Sequence, residues 1–180
     1  MTENVKARYD QLVPKREPFL KRARDAAALT IPYLFPPQGA TGSTNLPTPY
    51  QGIGARGVNN ISSKLLLTLF PTNAPFFRYM IADKIKMDEQ AIPKVEEALA
   101  KLEAEVMDEA ERLSFRPSLN EGLKHLVVAG NVLLFLQKTG LKVYHLDRYV
   151  VKRDSMDTPL EIILLETVSP ATLDPEILTA

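Results

Sequence analysis

Three groups of residues have types and spacings that could do chemistry. Gly52–Ile53–Gly54–Ala55–Arg56–Gly57 spells the glycine pattern that lets a dinucleotide pyrophosphate approach a backbone turn. That chemistry needs a strand before the glycines and an acid about twenty residues later to hold a ribose. The preceding Pro47–Thr48–Pro49–Tyr50 has no place in a central strand, and no Asp or Glu lies between Gly57 and Asp83. The glycines therefore read as sites of close helix packing, or as a pliable first turn. His125 and His145, the only histidines, fall in different elements with no acidic pair at ligand spacing, so no metal site is expected. Glu103, Asp108 and Glu111 belong to the charged side of a long helix and read as a solvated face, not paired catalytic carboxylates. No serine, histidine and carboxylate constellation stands out. No catalytic, cofactor or metal residue is assigned.

A fourth group is basic. Lys15, Arg16, Lys21, Arg22 and Arg24 cluster near the start of the chain, either as a solvated helix face or as a contact for a polyanion. Over the whole chain 22 basic residues balance 22 acidic ones. Tight non-specific DNA binding draws on a basic excess that releases counterions from phosphates, and that excess is missing. The sequence holds no cysteine, which excludes disulfides, thiol nucleophiles and cysteine zinc sites. Its 45% hydrophobic and 24% charged content is that of a globular protein. Met1 to Gln11 is polar, and the most apolar stretches, Leu65 to Phe70 and Val132 to Leu136, are too short to span a bilayer. No membrane association is expected.

The elements that position these residues follow from periodicity. Val5, Tyr9 and Leu12 mark a first amphipathic helix. Pro14 punctuates it, and Pro18 is placed as the first residue of a second helix ending near Thr30. Thr30 to Pro49, dense in Pro, Gly, Thr and Ser, reads as a long loop. Helical period returns after Gln51 with Val58, Ile61, Leu65 and Leu69 on one stripe, and Pro71 stops it. Phe76 to Ala82 reads as a strand. Pro93 opens a long helix with Val95, Leu99, Leu102, Val106, Ala110 and Leu113 on one side and a strongly acidic opposite side. Pro117 starts a further helix that Gly130 ends. Val132 to Gln137 and Leu141 to His145 flank Lys138–Thr139–Gly140 as a hairpin. Arg148 to Arg153 and Leu160 to Val168 supply two more strands around an Asp154–Asp157 turn. Asp174–Pro175–Glu176 is a helix start with only four residues after it, as in a piece of something longer. The expected class is α+β, with helices first and a small antiparallel sheet after them.

Leu66, Leu67 and Phe70 widen the stripe after Gln51 beyond a single face. A helix apolar on most sides is central in a core or buried by another subunit. These three residues are the candidate subunit interface, with burial in the subunit's own core as the competing reading.

Several strings resemble the portal, or head-to-tail connector, protein of short-tailed podoviruses of the coliphage type. They are Thr30–Ile31–Pro32–Tyr33–Leu34–Phe35–Pro36, Gly54–Ala55–Arg56–Gly57–Val58–Asn59–Asn60, and Ser63–Lys64–Leu65 to Pro71. Leu123–Lys124, Leu126–Val127–Val128–Ala129–Gly130–Asn131–Val132–Leu133–Leu134 and Tyr149–Val150–Val151–Lys152–Arg153–Asp154 continue the series in order. The resemblance implies a structural, non-enzymatic subunit of a dodecameric ring in the virion, assembled in the host cytoplasm. Its implied partners are identical subunits, the capsid, the packaging motor, tail proteins and double-stranded DNA passing through the ring. Residues 1–180 would be the N-terminal part, in the wing region, helical over 1–130 and β-rich over 131–170, without the stem, clip and crown regions. Residues 38–48 match no string of the family. Two other readings stay open: an adaptor using the basic helix or the Pro-rich loop, and a piece of an enzyme whose catalytic residues lie elsewhere.

Overall fold

The structure is a computed structural model that describes residues 4–37, 39–72, 74–82, 88 and 90–167. Its first element, α1, runs unbroken over Val5–Leu29, capped by the Asn4 side chain, which accepts from the Lys6 N–H at 3.0 Å. The two separate helices expected around Pro14 and Pro18 are therefore one. Each proline removes a backbone donor, freeing the carbonyls of Asp10 and Pro14. Asp10, Pro14 and Pro18 are all exposed, so water reaches that side of the helix. The opposite face buries Leu12, Leu20, Ala23 and Ala27, and this burial holds the helix through the proline turn.

Thr30 to Pro49 is not loop throughout. A 3-10 turn over Pro32–Leu34 follows α1 directly, and Ile31, Leu34 and Phe35 are buried in the main core. Only the part beyond Pro36 is open and irregular among the described residues. The turn carries the apolar half of a segment whose Pro and Gly content advertised only its polar half.

Helix α2 covers Ile53–Leu69. Its first turn meets the end of α1 so closely that a Cβ on Gly54 would lie 2.6 Å from the Leu29 carbonyl oxygen. Close helix packing is thus what Gly54 provides, while Gly52 and Gly57 face open space. After α2 the expected strand Phe76 to Ala82 is absent. No segment pairs with it among the described residues, and Phe70, Phe76, Phe77 and Tyr79 instead form a chain of ring contacts 4.5–5.3 Å apart. The Tyr79 N–H is taken by the Glu103 carboxylate at 2.6 Å.

Helix α3, Ile92–Arg112, turns sharply through Ser114, at φ 54°, into α4, Phe115–Ala129. α4 starts two residues before Pro117, whose missing N–H falls in the first turn, where no helical partner exists anyway. Gly130, at φ 72°, ends it as expected. Helix α4 is the centre of the subunit, packing against α1, α2, α3 and the second strand. The strands form two separate antiparallel pairs in place of one sheet: β1 Leu133–Gln137 with β2 Gly140–Tyr144, and β3 Tyr149–Arg153 with β4 Pro159–Leu164. Two antiparallel pairs with turns at Lys138–Thr139 and Asp154–Asp157 still make an α+β fold. Asp174–Pro175–Glu176 lies outside the described residues.

Replacing Gly54 with Ala should force α1 and α2 apart and lower unfolding stability by about 2 kcal/mol. Gly57→Ala, with open space at its Cβ, should instead gain about 0.5–1 kcal/mol from helix propensity. Urea unfolding of the two variants checks this, and equal effects would contradict the packing role of Gly54.

Candidate functional site

Helix α2 leaves several large apolar side chains uncovered. Val58 and Ser62 are buried and define its core side, with Leu66 half-buried beside them. Phe70, just past the helix end, is half-buried against Phe76. Arg116 fixes this end of the helix by donating to the carbonyls of Phe70 and Pro71 at 2.8 and 2.7 Å while pairing with Glu111. Of the three residues expected at an interface, Leu66 and Phe70 are thus partly covered within the subunit, and Leu67 is 59% exposed. Of the stripe Val58, Ile61, Leu65 and Leu69 that periodicity marked, only Val58 is buried; Ile61, Leu65 and Leu69 are 50%, 36% and 51% exposed. Sequence spacing identified the stripe correctly but could not say which edge of it the subunit covers.

Helix α3 has no buried residue. Ile92, Val95, Leu99, Leu102 and Val106 follow alternating three- and four-residue steps, the seam spacing of helices that pair along their length. Its polar sides carry Glu97–Lys101 and Glu109–Arg112 pairs, and Glu111 reaches to Arg116. Glu103 binds the Tyr79 N–H, and Asp108 stays exposed. The acids are therefore a partly paired solvated face, as their spacing implied.

The basic cluster on α1 divides. Arg16 turns inward, its guanidinium donating to the carbonyls of Asp147 and Tyr149 at 2.7 and 3.1 Å and to the Tyr9 hydroxyl at 3.3 Å. Arg24 is half-buried and lies 3.7 Å from Glu17. Lys15, Lys21 and Arg22 are exposed, with Arg22 over the Phe19 ring.

Between α1, residues 33–37 and 39–40, the start of α4 and residues 145–148 lies a groove of about 840 Å³. His125 and His145 meet at its floor, their rings stacked 5.5 Å apart, with Phe35 edge-on to both. His125 is 2% exposed. Burial, and then the neighbouring His145, push its pKa down to about 4, while Asp147 raises it slightly. His145 is paired through Nδ1 with Asp147. Burial raises the Asp147 carboxyl, but the hydrogen bond from His145 and the charges of His145, Arg148 and Arg16 outweigh it and hold the group below its ordinary value. Sequence reading had the histidines in different elements, which is correct, and missed that the fold stacks them. The available signal was helical: His125 continues the Leu119, Gly122 face of α4, all three of which are buried. No group of acidic and histidine side chains suited to a metal occurs among the described residues.

The uncovered apolar flank of α2 thus lies on a small α+β fold with no acid and histidine constellation suited to a metal among the described residues. The chain belongs to the bacteriophage head-to-tail connecting protein family, whose model matches residues 2–180. It is 37% identical over 185 residues to the portal protein of Escherichia phage T7, covering 97% of this chain and 34% of that protein. Similarity to the portal proteins of Enterobacteria phage T3 (36%, 99% of this chain, 35% of the relative) and Enterobacteria phage SP6 (34%, 93% and 33%) is comparable. The chain thus spans about a third of the length of these relatives.

The histidine stack sets a pH dependence. The unfolded chain takes up a proton at His125 near the ordinary value of 6.5, whereas the folded protein resists it down to about 4. The stability held by neutral His125 is complete above pH 6.5 and is lost as pH falls through that window. Between pH 7.5 and 5 the loss should be about 2 kcal/mol. Urea unfolding at the two pH values should show this slope in the native sequence and a much smaller one in His125→Gln; equal slopes would place the titration elsewhere.

Proposed function

We propose that the chain is the N-terminal, wing-region part of a portal subunit, a structural component of the virion that closes with identical copies into a ring. In this reading the ring joins head to tail, docks the packaging motor and passes double-stranded DNA. Its partners are its own copies, the capsid and the tail proteins, and it catalyses no reaction. The observation that carries the reading is the family match over residues 2–180. The surface supports it. A ring needs a head-to-tail contact in which one face fits a different face of the next copy, and α2 offers Ile61, Leu65, Leu67 and Leu69 uncovered. Leu66 and Phe70, half-buried within the chain, border this face. Balanced charge, 22 basic against 22 acidic residues, suits a conduit that must not grip DNA.

Sedimentation of the full-length protein tests this. Rings are expected for the native sequence, and Leu65→Glu combined with Leu67→Glu should convert them to small species with unchanged helical circular dichroism. Full-length protein that sediments as a monomer at high concentration would contradict the ring.

A further inference from the structure

The zero net charge of this chain conceals a mirror-image segregation. Helix α1 carries seven Lys and Arg against three Asp and Glu, and helix α3 carries three against seven. The two helices both pack on α4 and have no substantial contact with each other, so the two poles do not neutralise one another.

On α1 the internal contacts of Arg16 and Arg24, and the pairing of Arg8 with Glu161 at 3.3 Å, leave a defined exposed remainder. Lys15, Phe19 and Arg22 are spaced four and three residues apart, so they form one stripe along the helix, all exposed. Of the three α1 acids, Asp10 and Glu17 project from other sides of the helix, and Asp25, three residues after Arg22, borders only the end of the stripe. On α3, Glu97, Glu109 and Glu111 have cation partners and Glu103 has the Tyr79 N–H. Glu105 and Asp108, one turn apart and exposed, have no cation at ion-pair distance among the described residues. The seam residues Leu102 and Val106, 43% and 36% exposed, lie next to them.

We propose that the Lys15–Phe19–Arg22 stripe of one subunit docks on the Glu105–Asp108 end of α3 in the next copy, pairing charge with charge and Phe19 with the Leu102–Val106 seam. This inference rests on the ring reading above. A heterologous contact of this kind repeats head to tail, because every copy carries both poles. Exposed ion pairs contribute little strength individually. Their complementarity instead fixes orientation and opposes wrong contacts, since α1 against α1 or α3 against α3 would set like charges together. Ring assembly should therefore weaken as salt screens the poles.

Charge reversal in the full-length protein tests the contact. One variant carries Lys15→Glu and Arg22→Glu, and the other carries Glu105→Lys and Asp108→Lys. Each alone should assemble at least about tenfold less readily than the native protein, because both of its faces then have the same sign. Mixed in equal amounts, the two should recover rings by alternating, and native mass spectrometry should find equal numbers of each and only even totals. All four positions are exposed, so circular dichroism of each variant should match the native protein. The neutral pair Lys15→Gln and Arg22→Gln should fall between native and reversed, and so checks the direction even if a reversal perturbs folding. Rings formed normally by either reversed variant, or a mixture that stays dissociated, would overturn the proposal. Intact rings from the α3 reversal alone would point to DNA as the ligand of the α1 stripe. Failure of the native full-length protein to form rings would instead overturn the reading on which this one rests.

Discussion

Burial of apolar surface is the constraint from which the other features follow, and in this subunit a single helix, α4, has to supply it for three others. Helix α4 is only 15 residues long. It gives α1 and α2 enough contact to bury Leu20, Ala23, Ala27 and Val58, and it seats the β1–β2 hairpin so tightly that a Cβ on Gly122 would press within 2.9 Å of Leu134. Little is left for α3, which has no fully buried residue, or for the outer flank of α2. Each fully buried Leu or Ile contributes about 1.5–3 kcal/mol, so the uncovered residues represent stability that a second body can realise.

The polar interior serves the same end differently. Arg16 crosses from α1 to the backbone of residues 147 and 149, and Arg116 crosses from α4 to the end of α2. Both satisfy carbonyls at element ends, where helices and strands leave acceptors without partners. The histidine stack beneath Phe35 then holds the 3-10 turn against α4. These contacts give the fold a defined arrangement in spite of its modest core.

Much of this was legible in the residues. The helix from Pro93, the Gly130 stop, the hairpin at Lys138–Thr139 and the α+β class all follow from periodicity and turn chemistry. The misses have physical causes. Pro14 and Pro18 looked like breaks because local rules ignore the burial of Leu12 and Leu20 on the far side of the helix. Phe76 to Ala82 has strand composition, but a strand exists only with a partner, and the rings found one another instead. Ile31, Leu34 and Phe35 were lost in a Pro-rich stretch whose composition signals turns. Of the three candidate interface residues, Leu67 is exposed, while Leu66 and Phe70 are half-buried within the chain. Which edge of a wide apolar helix faces outward depends on the neighbours that pack on it, and those neighbours are distant in sequence.

The account stands on the outer flank of α2 being covered by an identical neighbour. An electron cryomicroscopy map of the full-length assembly measures this directly. It should place side-chain atoms of the next subunit within about 4 Å of Ile61, Leu65 and Leu69. A map in which that flank faces water, or is covered by later residues of the same chain, would contradict it.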